Sequence, residues 1–239
     1  MSALTVARTT LLRASRRPST YVISALAFAP ALFGALFGAR GQGALDSGGP
    51  LALRLVAPIM VAALVASPVG EAFENRTVVY WFTRPFRRPG VLLGEALGHT
   101  AVAGAALFLS GAMLAVANAL TSTADLASLA RIPFGLALEA VTLVAFSVAM
   151  GALVPKHPVV TTLSVFTIVE GALPSLWAKF SYLSIAYHAS VVAGLPFALT
   201  SGDEGVSAPP MWLSVAALAA WAIVPMLAAS LVVNDRDTG

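Results

Sequence analysis

The sequence predicts an all-α membrane protein of six transmembrane helices, with an N-terminal interfacial amphipathic helix and short outer-leaflet helices between the fifth and sixth spans. Three observations carry this. The 239 residues are 58% hydrophobic and 10% charged, with a mean hydropathy of +0.86, which excludes a soluble globular class. Apolar runs of about 20 residues recur along the chain, the length a helix needs to cross ~30 Å of hydrocarbon. Charge is concentrated between the runs: of 14 basic and 11 acidic side chains, seven fall in the stretch 71–95. Six spans with short loops use up the length, so 1–239 reads as one transmembrane domain.

Residues 1–18 are too charged to span. On a helix, Leu4, Ala7, Leu11 and Ala14 share one face while Arg13, Arg16 and Arg17 gather opposite, the pattern of a basic helix lying in the membrane interface. Tyr21–Ala39 is uncharged and long enough for a first span, longer than the ~7–15 apolar residues of a signal peptide. Arg40–Pro50 reads as a glycine-rich turn, and Leu51–Gly70 as a second span containing Pro58 and Pro68. Prolines are tolerated there because neighbouring helices satisfy the freed carbonyls.

Val91–Leu120 is the third span, opened by Gly90, Gly94 and Gly98 at a spacing that permits close backbone approach. Ile132–Val154 is the fourth, Pro155–Pro158 a tight turn, Val159–Ala178 the fifth and Met211–Val233 the sixth. Phe180–Gly202 carries no formal charge but contains His188, several serines, Gly194 and Pro196. The wider segment 180–208 is expected to re-enter the outer leaflet without crossing.

With six spans, Arg8, Arg13, Arg16, Arg17, Arg76, Arg84, Arg87, Arg88, Lys156 and Arg236 fall on one side and Arg40, Arg54, Arg131 and Lys179 on the other. Positive loops stay cytoplasmic, so both termini are expected inside a cytoplasmic membrane. The basic balance (pI 9.7) then belongs to loops and lipid headgroups and calls for no nucleic acid.

The polar stretch also carries a family signal. Glu74-Asn75-Arg76-Thr77, Thr83-Arg84-Pro85, Arg87-Arg88 and Leu92-Leu93-Gly94-Glu95 resemble the cytoplasmic loop of type-2 ABC exporter permeases. That loop reads approximately E-x-G-T, a mostly apolar run, R-P, a basic residue and L-L-G-K. Arg76 stands where the family has Gly, and Glu95 where it has Lys. The resemblance implies a permease subunit, in a homodimer or paired with a second permease, driven by a separate ABC ATPase subunit that holds the ATP and magnesium. The loop 71–90 would be the coupling element, with Glu71, Glu74, Arg76, Thr77, Arg84, Pro85, Arg87 and Arg88 facing the ATPase. Lys156 and His157, in the tight turn, would make a second contact.

Glu139 and Glu170 interrupt the fourth and fifth spans at about 12 and 13 Å from the outer ends, at 1.5 Å per residue. They share a level on adjacent antiparallel helices. Intramembrane acids either serve a translocation pathway or play a structural part, neutral or bonded to hydroxyls and backbone; both readings stand. His99 and His188 lack metal-ligand spacing to one another and read as hydrogen-bonded packing residues. There is no cysteine, no H-E-x-x-H, no Gly-x-Ser-Gly and no P-loop, so no cofactor, metal or catalytic centre is expected in this chain. Two other classes remain: a standalone secondary transporter or channel coupling ions through Glu139 and Glu170, and a membrane scaffold.

Overall fold

Apolar helices without water must satisfy every backbone group internally, and the computed structural model is 91% helical with no strand over its described residues, 3–40, 43–74, 88–121, 126–197 and 207–235. In chain order these are α1 (Ala3–Arg16), α2 (Pro18–Gly38), α3 (Ala44–Glu74), α4 (Arg88–Thr121), α5 (Leu126–Leu153), α6 (Pro158–Leu176), α7 (Ile185–Ala193) and α8 (Met211–Asp235). Six, namely α2 to α6 and α8, are long and apolar enough to cross a membrane. The nine-residue α7 is about 14 Å long, less than half the hydrocarbon thickness of ~30 Å, and adds no seventh crossing.

The bundle is centred on α5. Its most apolar stretch is 72% buried, against 22% for α2 and 11% for α8. Helix α4 runs antiparallel to it, and Gly111 is the close approach: a Cβ there would lie 2.7 Å from Pro133 Cα. Helix α8 closes the other side, where Thr142 Oγ1 donates to Leu218 O at 3.4 Å.

Three π-helical segments interrupt the spans: Ala52–Val56 and Ala62–Ala66 in α3, and Thr167–Ala172 in α6. Each ends two residues before a proline, respectively Pro58, Pro68 and Pro174. Proline lacks an N–H and its ring collides with the carbonyl four residues back; the widened turn relieves the clash and keeps the helix continuous.

Several boundaries differ from the sequence expectation. The glycine-rich stretch before Pro50 is largely helical, Ala44–Leu51 being the start of α3. Gly48 lies against Pro30 O and Leu114 Cδ1, where a Cβ would sit at 2.7 and 2.6 Å. Close helix packing, not a turn, is what these glycines serve. Arg54 therefore sits ten residues inside a spanning helix instead of three. At the far end of α3 the helix continues to Glu74, and α4 begins at Arg88. So 71–74 and 88–90 of the expected coupling loop are helical, and 75–87 lies outside the described residues.

Residues 3–16 form a helix, packed on α4 through a face rotated away from the expected leucines. Thr10 and Ala14 are its buried residues, whereas Leu4 is 71% exposed and Leu11 39%. The reason is α4: a Cβ at Gly94 would lie 2.5 Å from Val6 Cβ, and one at Gly98 2.7 Å from Thr10 Cβ. Small surfaces meet there at backbone distance, turning the leucines outward. Gly90, the third member of the series, touches nothing.

Candidate functional site

Two groups of polar residues stand out, one at an end of the bundle and one inside it. At the end, α3 delivers Ser67, Glu71 and Glu74, and the turn between α5 and α6 delivers Lys156 and His157. Together they line a cleft of about 300 Å³. The turn is held close by two glycines. Gly70 of α3 abuts Pro158, and a Cβ at Gly151 of α5 would lie 2.9 Å from Val69 Cγ1. Ser67 Oγ donates to Glu71 Oε1 at 2.9 Å, and Lys156 and His157 are exposed. The structure thus brings together four of the sequence-predicted contact residues. Arg76, Thr77, Arg84, Pro85 and Arg87 lie outside the described residues, as does the side chain of Arg88.

Inside the bundle, the two predicted acids have unlike surroundings. Glu170, 6% exposed, sits on the π turn of α6 and points at the N-terminus of α7. Its Oε1 accepts from Ile185 N at 2.8 Å and its Oε2 from Ala186 N at 3.2 Å and from Ser184 Oγ. Ser184 in turn caps the helix, accepting from Tyr187 N at 2.9 Å. A carboxylate on the free N–H groups of a helix start is favoured by hydrogen bonding and by the helix dipole. The opposite end of α7 is held by Arg131 of α5, whose Nε and Nη2 donate to Val192 O at 3.2 Å and Val191 O at 3.0 Å. Gly194 ends the helix with φ 68°, the left-handed conformation that suits glycine. An acid from one span and a base from another thus bracket a helix of nine residues.

Glu139 of α5 is 0% exposed. Among the described residues neither of its carboxyl oxygens has a hydrogen-bond partner. Glu170 is near enough to act on it electrostatically, and the Arg54 cation acts on Glu170 with the opposite sign. The Arg54 guanidinium also lies 4.0 Å from the centroid of Phe197, a cation–π geometry. Of the two acids, only Glu170 has a set of donors among the described residues.

His188 is a packing residue, as expected. Its Nε2 is 2.9 Å from Tyr182 O and its Nδ1 3.2 Å from Ser214 Oγ. A carbonyl only accepts, so Nε2 carries the hydrogen and Nδ1 receives the serine hydroxyl. His99 pairs with Glu95 one turn earlier at 3.4 Å, and Arg13 of α1 reaches Glu95 at 4.0 Å. The Arg13–Glu95 pair ties α1 to α4 beside a small cavity of about 50 Å³. No group of three or more metal-ligating side chains occurs among the described residues.

Sequence reasoning missed Arg54, Arg131 and Ser184. Arg131 had a signal, an arginine at a span end with no acid nearby. Ser184 had one too, a serine before an apolar run that ends at Gly194, the pattern of a helix with an N-cap and a glycine C-cap. Arg54 was hidden by the misread glycine stretch. Comparison with protein-family models and with curated proteins finds no match to this chain.

Proposed function

We propose that the chain is the membrane-spanning permease subunit of an ATP-driven exporter of the type-2 ABC class, working with a separate ATPase and as a dimer of permeases. The observation that carries the reading is the cleft at one end of the bundle. Glu71 and Glu74 on α3 stand beside Lys156 and His157 on the α5–α6 turn, and the segment with the family-like R-P and basic pattern follows directly from Glu74. Two chain segments expected to meet an ATPase thus share one face. Six crossings put both termini on that face, the cytoplasmic one by the charge distribution. α1 lies in the interface there, and α7 dips into the outer leaflet.

Mechanically, closure of the ATPase would press on the 71–90 region and on the α5–α6 turn. Gly70 and Gly151 pack those segments at backbone distance, so a push on the turn moves α3, α5 and α6 together. The standalone ion-coupled reading is weakened by Glu170, whose oxygens are engaged by three donors of α7 and its cap.

The test is co-expression with a P-loop ATPase encoded beside it. The pair should co-purify, and the permease alone should hydrolyse no ATP. Lys156→Glu with His157→Glu, and separately Arg84→Glu with Arg88→Glu, should weaken capture of the ATPase tenfold or more. Reversed charges at a partner surface cost several kcal/mol of binding, while exposed ion pairs contribute only about 0–1 kcal/mol to folding. ATP hydrolysis by the chain alone, or capture unchanged in both variants, rejects the assignment.

A further inference from the structure

We infer that Glu139 is a proton-binding site within the membrane, held as the neutral carboxylic acid in the closed bundle, whereas Glu170 holds no proton. The inference rests on how the two carboxyls are surrounded and goes beyond the exporter reading, on which it does not depend.

Glu139 lies ten residues from Leu129 and 14 from Leu153 in a span of 25, so it is near the middle of the bilayer whichever way the helix tilts. It is fully buried, and neither oxygen meets a donor among the described residues. A lone carboxylate at such depth costs several kcal/mol. Bound as –COOH, the group carries no net charge and its cost falls to that of a polar group. Glu170 is the reverse case. Ile185 N–H, Ala186 N–H and the Ser184 hydroxyl all donate to it, the α7 dipole favours its charge, and Arg54 adds a nearby cation. Two acids in unlike surroundings divide the protonation states between them.

Apart from Glu170 on α6 and Arg54 on α3, the elements packed on α5 bring no formal charge to this level. From Met211 to Val233, α8 has no titratable side chain. Helix α7 brings Tyr187 and His188, the latter engaged by Tyr182 and Ser214. Glu95 and His99 of α4 lie eight or more residues from Leu107, beyond about 12 Å along the helix, and answer to each other and to Arg13. On α3, Arg54 acts electrostatically on Glu170 and stacks on Phe197, while Asp46 lies near one end of the helix and Glu71 and Glu74 near the other. Proton exchange at Glu139 therefore requires water to reach residue 139, which makes its occupancy a reporter of bundle opening.

The experiment is infrared spectroscopy of the full chain, carrying carbonyl-¹³C glutamate, in phospholipid vesicles at neutral pH. A carbonyl band of a protonated carboxylic acid should be present, shifted by the isotope, lost in Glu139→Gln and retained in Glu170→Gln. Glu139→Asp provides a check independent of the amide variant: its acid band should no longer move with glutamate labelling. Absence of the band from the unsubstituted chain overturns the proposal. So does its loss in Glu170→Gln with retention in Glu139→Gln. Neither result bears on ATPase capture, so the two proposals fail separately.

Discussion

Glu170 and His188 act at the scale of single hydrogen bonds. Glu170→Gln keeps one acceptor oxygen but presents an amide to the N–H groups of Ile185 and Ala186. We expect a loss of about 1–3 kcal/mol, the range for leaving buried donors unsatisfied, read as a lower melting temperature and faster amide exchange at 185 and 186. Glu139→Gln should leave the melting temperature nearly unchanged, because the amide resembles the neutral acid. His188, in α7 and outside the six spans, is 3% exposed. Burial lowers its pKa from the ordinary 6.5, and the hydrogen bond to Tyr182 O only partly offsets this. A folded pKa below the unfolded one means that the unfolded chain binds the extra proton. The stabilising contribution is therefore complete above 6.5 and shrinks as pH falls below it. Thermal unfolding in detergent should show that acid-side loss, and His188→Gln should reduce it.

At the scale of elements, helix packing is governed by glycine and proline. α1 stays on α4 because Gly94 and Gly98 admit Val6 and Thr10 at backbone distance. Gly98→Leu should push α1 off, at a cost of about 1–3 kcal/mol for overpacking. A spin label on Ala7→Cys, introduced into a chain with no cysteine of its own, should gain mobility in that variant. Unchanged mobility would show that the Glu95–His99–Arg13 cluster holds α1 without the glycines. The helix α7 is a different kind of element. Its ends are fixed by Glu170 on α6 and Arg131 on α5, and its C-terminal turn is seated where Gly135 abuts Ala193. Displacing α6 must therefore strain either the cap or the Arg131 clamp, which makes α7 the outer element that follows any push on the α5–α6 turn.

At the scale of the molecule, the question is which residues share a side. Glu74, Lys156 and the end of α8 belong to one face of the bundle, and Asp46, Arg131 and Lys179 to the other. Single cysteines at Glu74, Lys156 and Thr238 should be labelled by an impermeant maleimide only from the cytoplasmic side. Those at Asp46 and Lys179 should be labelled only from outside. Labelling at position 238 from outside would mean an odd number of crossings and would remove the shared face on which the proposed ATPase docking depends.

The sequence by itself determined the number, order and approximate limits of the spans, because crossing hydrocarbon demands a length and an apolarity that are local properties of the chain. It also placed Glu139 and Glu170 on one level, since 1.5 Å per residue is fixed by helix geometry. What those acids do was decided only by the tertiary structure. Glu170 meets Ser184, Ile185 and Ala186, 14 to 16 residues away, and Arg131 meets Val191 and Val192, some 60 residues away. No periodicity records such pairings. The face of α1 was likewise set by glycines on α4, and the depth of the half-buried Arg54 within α3 by glycines that let a presumed turn become helix. Apolar character is a property of a segment, but partnership is a property of the packed bundle.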